Sequence, residues 1–308
     1  MLLFMGEPML EFNQLPPDAE GRVLYLEGHG GDTSNAAIAA ARQGARAGYV
    51  TALGDDAAGA AFRALWEREG VDARHVRTDA SAFTGIYFVT HDGRGHHFTF
   101  YRTGSAAARM TPADIPDDLC AGASWLHVSG ISMAISASAA DAVFRAIALA
   151  RAAGCKVSFD TNLRLRLWPA ARAAATMHAA IGMSDLALPS FEDATALTGL
   201  DDPEAILRFY LALAPMVVLK LGAEGAIAAT RERSWRIPGI AVAAKDATGA
   251  GDCFAGALLA RLSAGDDLQA AARYANLAAA LSTEGYGAVA PIPTSARVRA
   301  RLAALTPP

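Results

Sequence analysis

Residues 246–259 read Asp246-Ala247-Thr248-Gly249-Ala250-Gly251-Asp252-Cys253-Phe254-Ala255-Gly256-Ala257-Leu258-Leu259. The chain turns apolar and helical directly after the glycines, so Gly249 to Gly251 fall at a helix N-terminus. There the first N–H groups have no intrahelical partner, the macrodipole presents its positive end, and a missing Cβ lets an anion reach the backbone. The stretch predicts a phosphate-binding loop on an α/β scaffold. Asp252 stands beside that loop, where a carboxylate repels phosphate unless it has chemical work. General-base removal of a proton from a phosphoryl-accepting hydroxyl is such work. The Gly249, Ala250 and Gly251 amides would then stabilise charge on the group in transit. A first-turn acid that merely complements the helix dipole is the alternative.

Rival nucleotide motifs are missing. No G-x-x-x-x-G-K-[ST] occurs, and no glycines fit a G-x-G-x-x-G turn after a first strand, which disfavours a P-loop kinase and a dinucleotide-dependent dehydrogenase. Working back from the loop, apolar strands alternate with amphipathic helices from about residue 123 onward. Strands are predicted over 124–129, 157–160, 185–188 and 217–221, with a helix over 136–153. That rhythm is a doubly wound, mostly parallel sheet, and this second part is expected to form the main layer. Before it, 85–90 and 96–102 alternate apolar and polar residues and are joined by His91-Asp92-Gly93-Arg94-Gly95, a Gly-rich hairpin signal. Such a hairpin serves either as a lid over a cleft or as an ordinary sheet edge.

Composition narrows the classes further. Of 308 residues 53% are hydrophobic and 19% charged, with a formal net charge of −4 and no long run of one sign. This balance suits a globular enzyme and leaves no groove for nucleic acid and no polybasic membrane patch. The apolar start, Met1 to Met5, reaches Glu7 without a basic segment or a full hydrophobic region and reads as a strand. The Ala-rich helices are broken by charges well short of a membrane span. Cys120, Cys155 and Cys253 are odd in number and far apart, so neither a disulfide framework nor a CxxC clip is expected, and a cytoplasmic location fits. The seven histidines form no helical zinc pattern, and no metal-ligating set is expected from the protein itself.

Two segments carry a family resemblance. Residues 246–252 resemble the late signature Asp-Thr-x-Gly-Ala-Gly-Asp of the PfkB (ribokinase-like) carbohydrate kinases, with Ala247 where Thr is usual and Thr248 one place later. Gly30-Gly31-Asp32-Thr33-Ser34-Asn35-Ala36-Ala37, followed by a helix and Gly54-Asp55-Asp56-Ala57-Ala58-Gly59, resembles the family's sugar-binding Gly-Gly-x-x-x-Asn region. The resemblance spans nearly the whole chain. It implies one ribokinase-like α/β domain over 1–308, with a small antiparallel β lid built from segments near 8–30 and 83–103. It also implies ATP as donor, Mg2+ held mainly by phosphate and water, room for a monovalent cation, and a homo-oligomer formed through the lid. Ser190, Lys220, Gly222, Gly225 and Asn276 would lie around the nucleotide with Gly249 and Gly251. Taken singly, Ser190 also reads as a helix cap, and Gly222 and Gly225 as a hairpin turn.

Within the family, residues 100–107 (FYRTGSAA) and 159–168 (FDTNLRLRLW) resemble 2-keto-3-deoxygluconate kinases. Those enzymes hold an acid sugar with an Arg from each segment and a neighbouring Tyr. The resemblance thus implies Arg102 and Arg164 beside Tyr87 and Tyr101, with Gly30, Gly31 and Asn35 on the sugar hydroxyls. A planar guanidinium pairs bidentately with a carboxylate, which fits an acidic ligand. On the residues alone, Arg102 also reads as a solvated strand residue and Arg164 as a partner of Asp160. Fructokinases carry similar segments, so a neutral hexose stays open, as does a non-catalytic sugar- or nucleotide-binding regulator.

Overall fold

A computed structural model describes residues 1–92 and 95–305. In chain order the elements of the first half are β1 (Leu2–Met5), β2 (Met9–Leu15), β3 (Leu24–Gly30), α1 (Asp32–Arg42), β4 (Ala47–Gly54), α2 (Ala57–Glu69), β5 (Asp72–Asp79), β6 (Ile86–Asp92), β7 (Gly95–Tyr101), β8 (Trp125–Ser129), α3 (Gly130–Ala134) and α4 (Ala137–Ala152). They continue with β9 (Lys156–Asp160), α5 (Ala170–Ile181), β10 (Leu186–Leu188), α6 (Phe191–Thr198), α7 (Pro203–Leu213), β11 (Met216–Lys220), β12 (Gly225–Thr230), β13 (Ser234–Pro238), α8 (Ala250–Ser263), α9 (Leu268–Ser282) and α10 (Ser295–Leu305).

Nine strands make the large sheet in the order β13-β12-β11-β10-β9-β8-β1-β4-β5. It is parallel from β11 through β5, while β12 and β13 add an antiparallel edge. Helices cover both faces over two separate apolar cores. The central strands read as short apolar runs because both faces are buried: β1 is Leu-Leu-Phe-Met, and every one of its side chains is buried. The expectation that the main layer lies in the second part needs correction here. β1, β4 and β5 of the first third belong to the same sheet, with β1 between β4 and β8. Chain order carries no signal for that placement, because it follows from right-handed crossovers winding in both directions from the middle of the sheet.

The reversal of direction between β1 and β8 opens a crevice at the carboxyl ends of the strands, where open α/β sheets bind ligands. Over this region lies a second sheet, β3-β2-β6-β7. Its pairs are antiparallel except for β2 with β6, which run parallel. β6 and β7 pair from Asp92 opposite Gly95 to Ile86 opposite Tyr101. Gly93 and Arg94 of the expected turn, and the tail Thr306 to Pro308, lie outside the described residues. The small sheet leaves large apolar side chains exposed, among them Leu24, Leu26, Phe98 and Phe100 at 42%, 59%, 45% and 45%.

Candidate active site

Helix α8 begins at Ala250 with Gly249 as its N-cap in the left-handed region (φ 75°), and a Cβ there would lie 3.0 Å from Ala288. Glycine is therefore the residue this junction accepts. The helix's own ladder starts with the Cys253 N–H donating to the Gly249 carbonyl, while Ala250 N–H turns back to the Ala247 carbonyl. The N–H groups of Gly251 and Asp252 fall in the first turn, which the helix cannot satisfy. Lys220, at the end of β11, brings its Nζ to 3.6 Å from where a Gly251 Cβ would be. A positive charge and the helix N-terminus thus converge, as an anion site requires. Upstream, Thr248 donates its hydroxyl to Asp246 (2.6 Å), and Asp246 also accepts from the Gly287 N–H (2.8 Å). The threonine one place late in the motif therefore still ties the loop to its acid.

Helix α8 packs directly on α1 because Gly256 faces it; a Cβ at 256 would stand 2.1 Å from the Ala36 carbonyl oxygen. That close approach sets Asp252 against Asn35, whose Nδ2 donates to Asp252 Oδ2 at 2.8 Å across 217 residues of sequence. Asp252 is not the helix cap. Its side chain points away from the loop into a cluster of acids and amides. Burial, followed by the nearby Asp32 charge, pushes the Asp252 carboxyl up to about 7, against the Asn35 hydrogen bond that favours ionisation.

Asp32 opens α1 and is 8% exposed. Its Oδ2 accepts from the Ser129 hydroxyl at the end of β8 and from Asn162 Nδ2 at 3.3 Å. Burial raises its carboxyl more than these bonds lower it. Asn162 follows β9 with φ 31°, a left-handed conformation that Asn tolerates. Its N–H is held by Asp160 at 3.2 Å, and Asp193 anchors the same loop through Thr161 (2.8 Å). Asp160 in turn pairs with Lys220 at 2.6 Å. The expected alternative of an Arg164 to Asp160 pair is not formed: Arg164 is exposed, donates to the Leu163 carbonyl (2.8 Å), and lies close enough for its charge to act on Asp32.

Arg102 is neither solvated nor open to a ligand through its whole fork. Its Nε (2.8 Å) and Nη2 both donate to Oε2 of Glu7, a residue 1% exposed in the link between β1 and β2, and Ser105 donates to the other oxygen. Burial keeps the Glu7 carboxyl above its ordinary value, with Arg102 pulling the other way. The paired expectation of Arg102 and Arg164 as a joint clamp is corrected accordingly: one arginine is committed to an internal carboxylate.

Tyr87 and Tyr101 also part company. Successive strand residues face opposite sides, and the β6–β7 register sets Phe100, not Tyr101, across from Tyr87. Tyr87 stands on the cleft side, donating its hydroxyl to Glu11 and lying over Gly30, where an added Cβ would meet the hydroxyl at 2.6 Å. Gly31 follows directly, its backbone against the Glu7 carbonyl. Tyr101 packs edge-on to Phe88 and is 55% exposed on the other side.

The remaining nucleotide-side residues gather around the β11–β12 turn. Gly222 and Gly225 take positive φ (58° and 98°) there, and Asn276 of α9 donates to the Pro238 carbonyl (2.9 Å), the residue opposite Gly225. Ser190 accepts the Asp193 N–H (3.1 Å) as the cap of α6 and bridges to Lys220. Cap and turn roles are thus filled, at positions that also flank the anion loop. Sequence reasoning missed Glu7, Glu11, Asp32, Asp160 and Asn162. A usable signal existed for Glu7, a lone acid at the end of an apolar run.

A phosphate loop, a buried base and a polar cleft form one connected site. The description "pfkB family carbohydrate kinase" matches residues 25–295. The chain belongs to the PfkB carbohydrate kinase family. It is a sugar kinase with a ribokinase-like α/β fold. Among its PfkB relatives, the 2-dehydro-3-deoxygluconokinase of Thermoproteus tenax is 37% identical over 91% of this chain and 87% of its own length. Fructokinase-1 of Oryza sativa subsp. japonica is 33% identical over 97% and 96%. Among solved structures, the PfkB protein of Polaromonas sp. JS666 superposes with TM-score 0.87 at 34% identity, covering 97% of this chain and 99% of that one. The fructokinase of Vibrio cholerae O395 in its fructose-, ADP- and calcium-bound form gives 0.85 at 33%, covering 97% of each. Among the described residues, no helix is long and apolar enough to cross a membrane.

Proposed function

We propose that this PfkB kinase transfers the γ-phosphoryl group of ATP to the primary hydroxyl of 2-keto-3-deoxygluconate (2-dehydro-3-deoxygluconate), with Asp252 as general base. The observation that carries the reading is the junction of Gly249 to Gly251, Lys220 and Asp252 at one helix start. The first-turn amides and the Lys220 ammonium receive phosphate oxygens and stabilise the charge that spreads over them in the transition state. Asp252 takes the acceptor proton from a position fixed by Asn35. Mg2+ arrives with the nucleotide and neutralises phosphate charge. Gly222, Gly225 and Asn276 frame the nucleoside end, and Gly30, Gly31 and Asn35 meet the sugar.

The substrate assignment rests on Arg164, the one arginine of the two that keeps its guanidinium exposed toward the cleft mouth. A carboxylate is the partner that a free guanidinium selects. Fructose is the second reading, favoured by the commitment of Arg102 to Glu7, which leaves the cleft one cation poorer. Competition decides between them. Arg164→Leu should lower kcat/KM for the keto-acid by about 10- to 100-fold, the size of one charge-assisted bond, while changing fructose turnover little. An unchanged keto-acid kcat/KM would remove the clamp.

The small sheet fits a second copy of the chain. Leu26 and Phe98 lie in line with Asn13 and Val89 across the four strands, on the same face as Tyr87, and an uncovered apolar face of this kind marks an interface. Sedimentation should give a dimer that Leu26→Lys with Phe98→Lys converts to monomer; a monomeric parent protein would refute it.

A further inference from the structure

The cleft holds two buried oxygens that lack a hydrogen-bond partner, Asp32 Oδ1 and Asn35 Oδ1. They belong to the same first turn of α1, three residues apart, on either side of the groups that hold Asp252. The Asn35 amide is oriented by chemistry: its Nδ2 faces the Asp252 carboxylate, so its oxygen is left over as an acceptor. The Asp32 carboxyl is held from behind, with Oδ2 taken by Ser129 and Asn162. Burying an acceptor without a donor costs about 1–3 kcal/mol, more for a charged group. Two such acceptors beside the base therefore point to a ligand that brings donors to both. A carboxylate brings none, and neighbouring hydroxyls bring one each.

We infer that Asp32 is a specificity residue that accepts a hydrogen bond from a second hydroxyl of the acceptor sugar, adjacent in the chain of carbons to the hydroxyl Asp252 deprotonates. The assignment rests on the sugar-kinase reading above and deepens it. Asp32 and Arg164 then divide the cleft by charge. The acid repels an anion from the end nearest Asp252 and the arginine receives one at the other, so an acidic acceptor enters with its hydroxyl end toward the base. Selectivity of this kind is steep, because an analogue lacking the hydroxyl leaves the buried oxygen unpaired.

The test uses 2-keto-3-deoxygluconate and fructose with their 4-deoxy and 5-deoxy analogues, ATP and Mg2+. The parent enzyme should use one deoxy analogue about 10- to 100-fold less well in kcat/KM than the parent sugar, by the loss of one hydrogen bond to a charged group. Asp32→Ala should lower kcat/KM for the parent sugar by a similar factor and abolish that discrimination, so that sugar and analogue are used equally. Asp32→Asn keeps an acceptor for Ser129 and Asn162 and serves if the Ala protein does not fold; its discrimination should shrink. Full discrimination surviving in either variant would overturn the role of Asp32 while leaving the kinase reading intact. No turnover of either parent sugar by the unaltered enzyme would instead sink the reading beneath it.

Discussion

Asp252→Asn lowers kcat by about 10²- to 10⁴-fold, the contribution of a placed general base, while the protein stays folded and binds ATP. The asparagine oxygen still accepts from Asn35 Nδ2, so the contact between α1 and α8 survives. The substitution also takes a carboxylate out of a buried cluster that includes Asp32 and Asp160, which relieves repulsion, so thermal stability near pH 8 should hold or rise. Steady-state kinetics with saturating ATP, together with calorimetric unfolding, checks both halves. A variant that retains kcat would reassign the base; one that loses kcat by unfolding would leave Asp252 a structural acid.

Arg102→Leu should act on stability before it acts on specificity. Glu7 is buried with Arg102 and Ser105 as its partners. Removing one side of such a pair strands the other and costs about 3–5 kcal/mol. The sign with pH follows from the carboxyl, already raised by burial and raised further without the guanidinium. Below its unfolded value, near 4.5, Glu7 is neutral in both states and the variant loses little. As pH rises above that value, the unfolded chain releases the proton and the folded chain resists, so the deficit grows toward pH 8. Melting curves at pH 5 and pH 8 measure it, and Glu7→Gln in the same protein should recover part of the loss. Activity on keto-acid and fructose should fall together. A selective loss of the keto-acid, with stability unchanged, would return Arg102 to the substrate.

These two residues mark where the sequence was legible. The α8 loop could be read because glycine conformational freedom, the helix start and an out-of-place acid lie within seven consecutive residues. Strands β8 to β11 could be read because burial on both faces leaves short apolar runs. Arg102 was legible as chemistry but not as geometry, since its partner lies 95 residues away and only the closing of the β1–β2 link brings Glu7 under it. Tyr101 was misplaced for a register reason. The five-residue linker expected between the strands does not fix pairing, whereas pairing from Asp92 opposite Gly95 does, and one residue of slip exchanges the faces. Asp32 was inside the quoted Gly-Gly-x-x-x-Asn segment at a variable position, where nothing local distinguishes a ligand-facing acid from a helix-opening one.

The measurement that bears most directly on the central claim is the pH dependence of kcat/KM for the acceptor sugar at saturating ATP and Mg2+. A base must be ionised to accept a proton, and the Asp252 carboxyl stands at about 7. The rate constant should therefore climb about tenfold per pH unit on the acid side, bend near neutrality and level off above it. A profile flat from pH 5.5 to 8.5, measured on protein that remains folded throughout, would contradict proton transfer to Asp252.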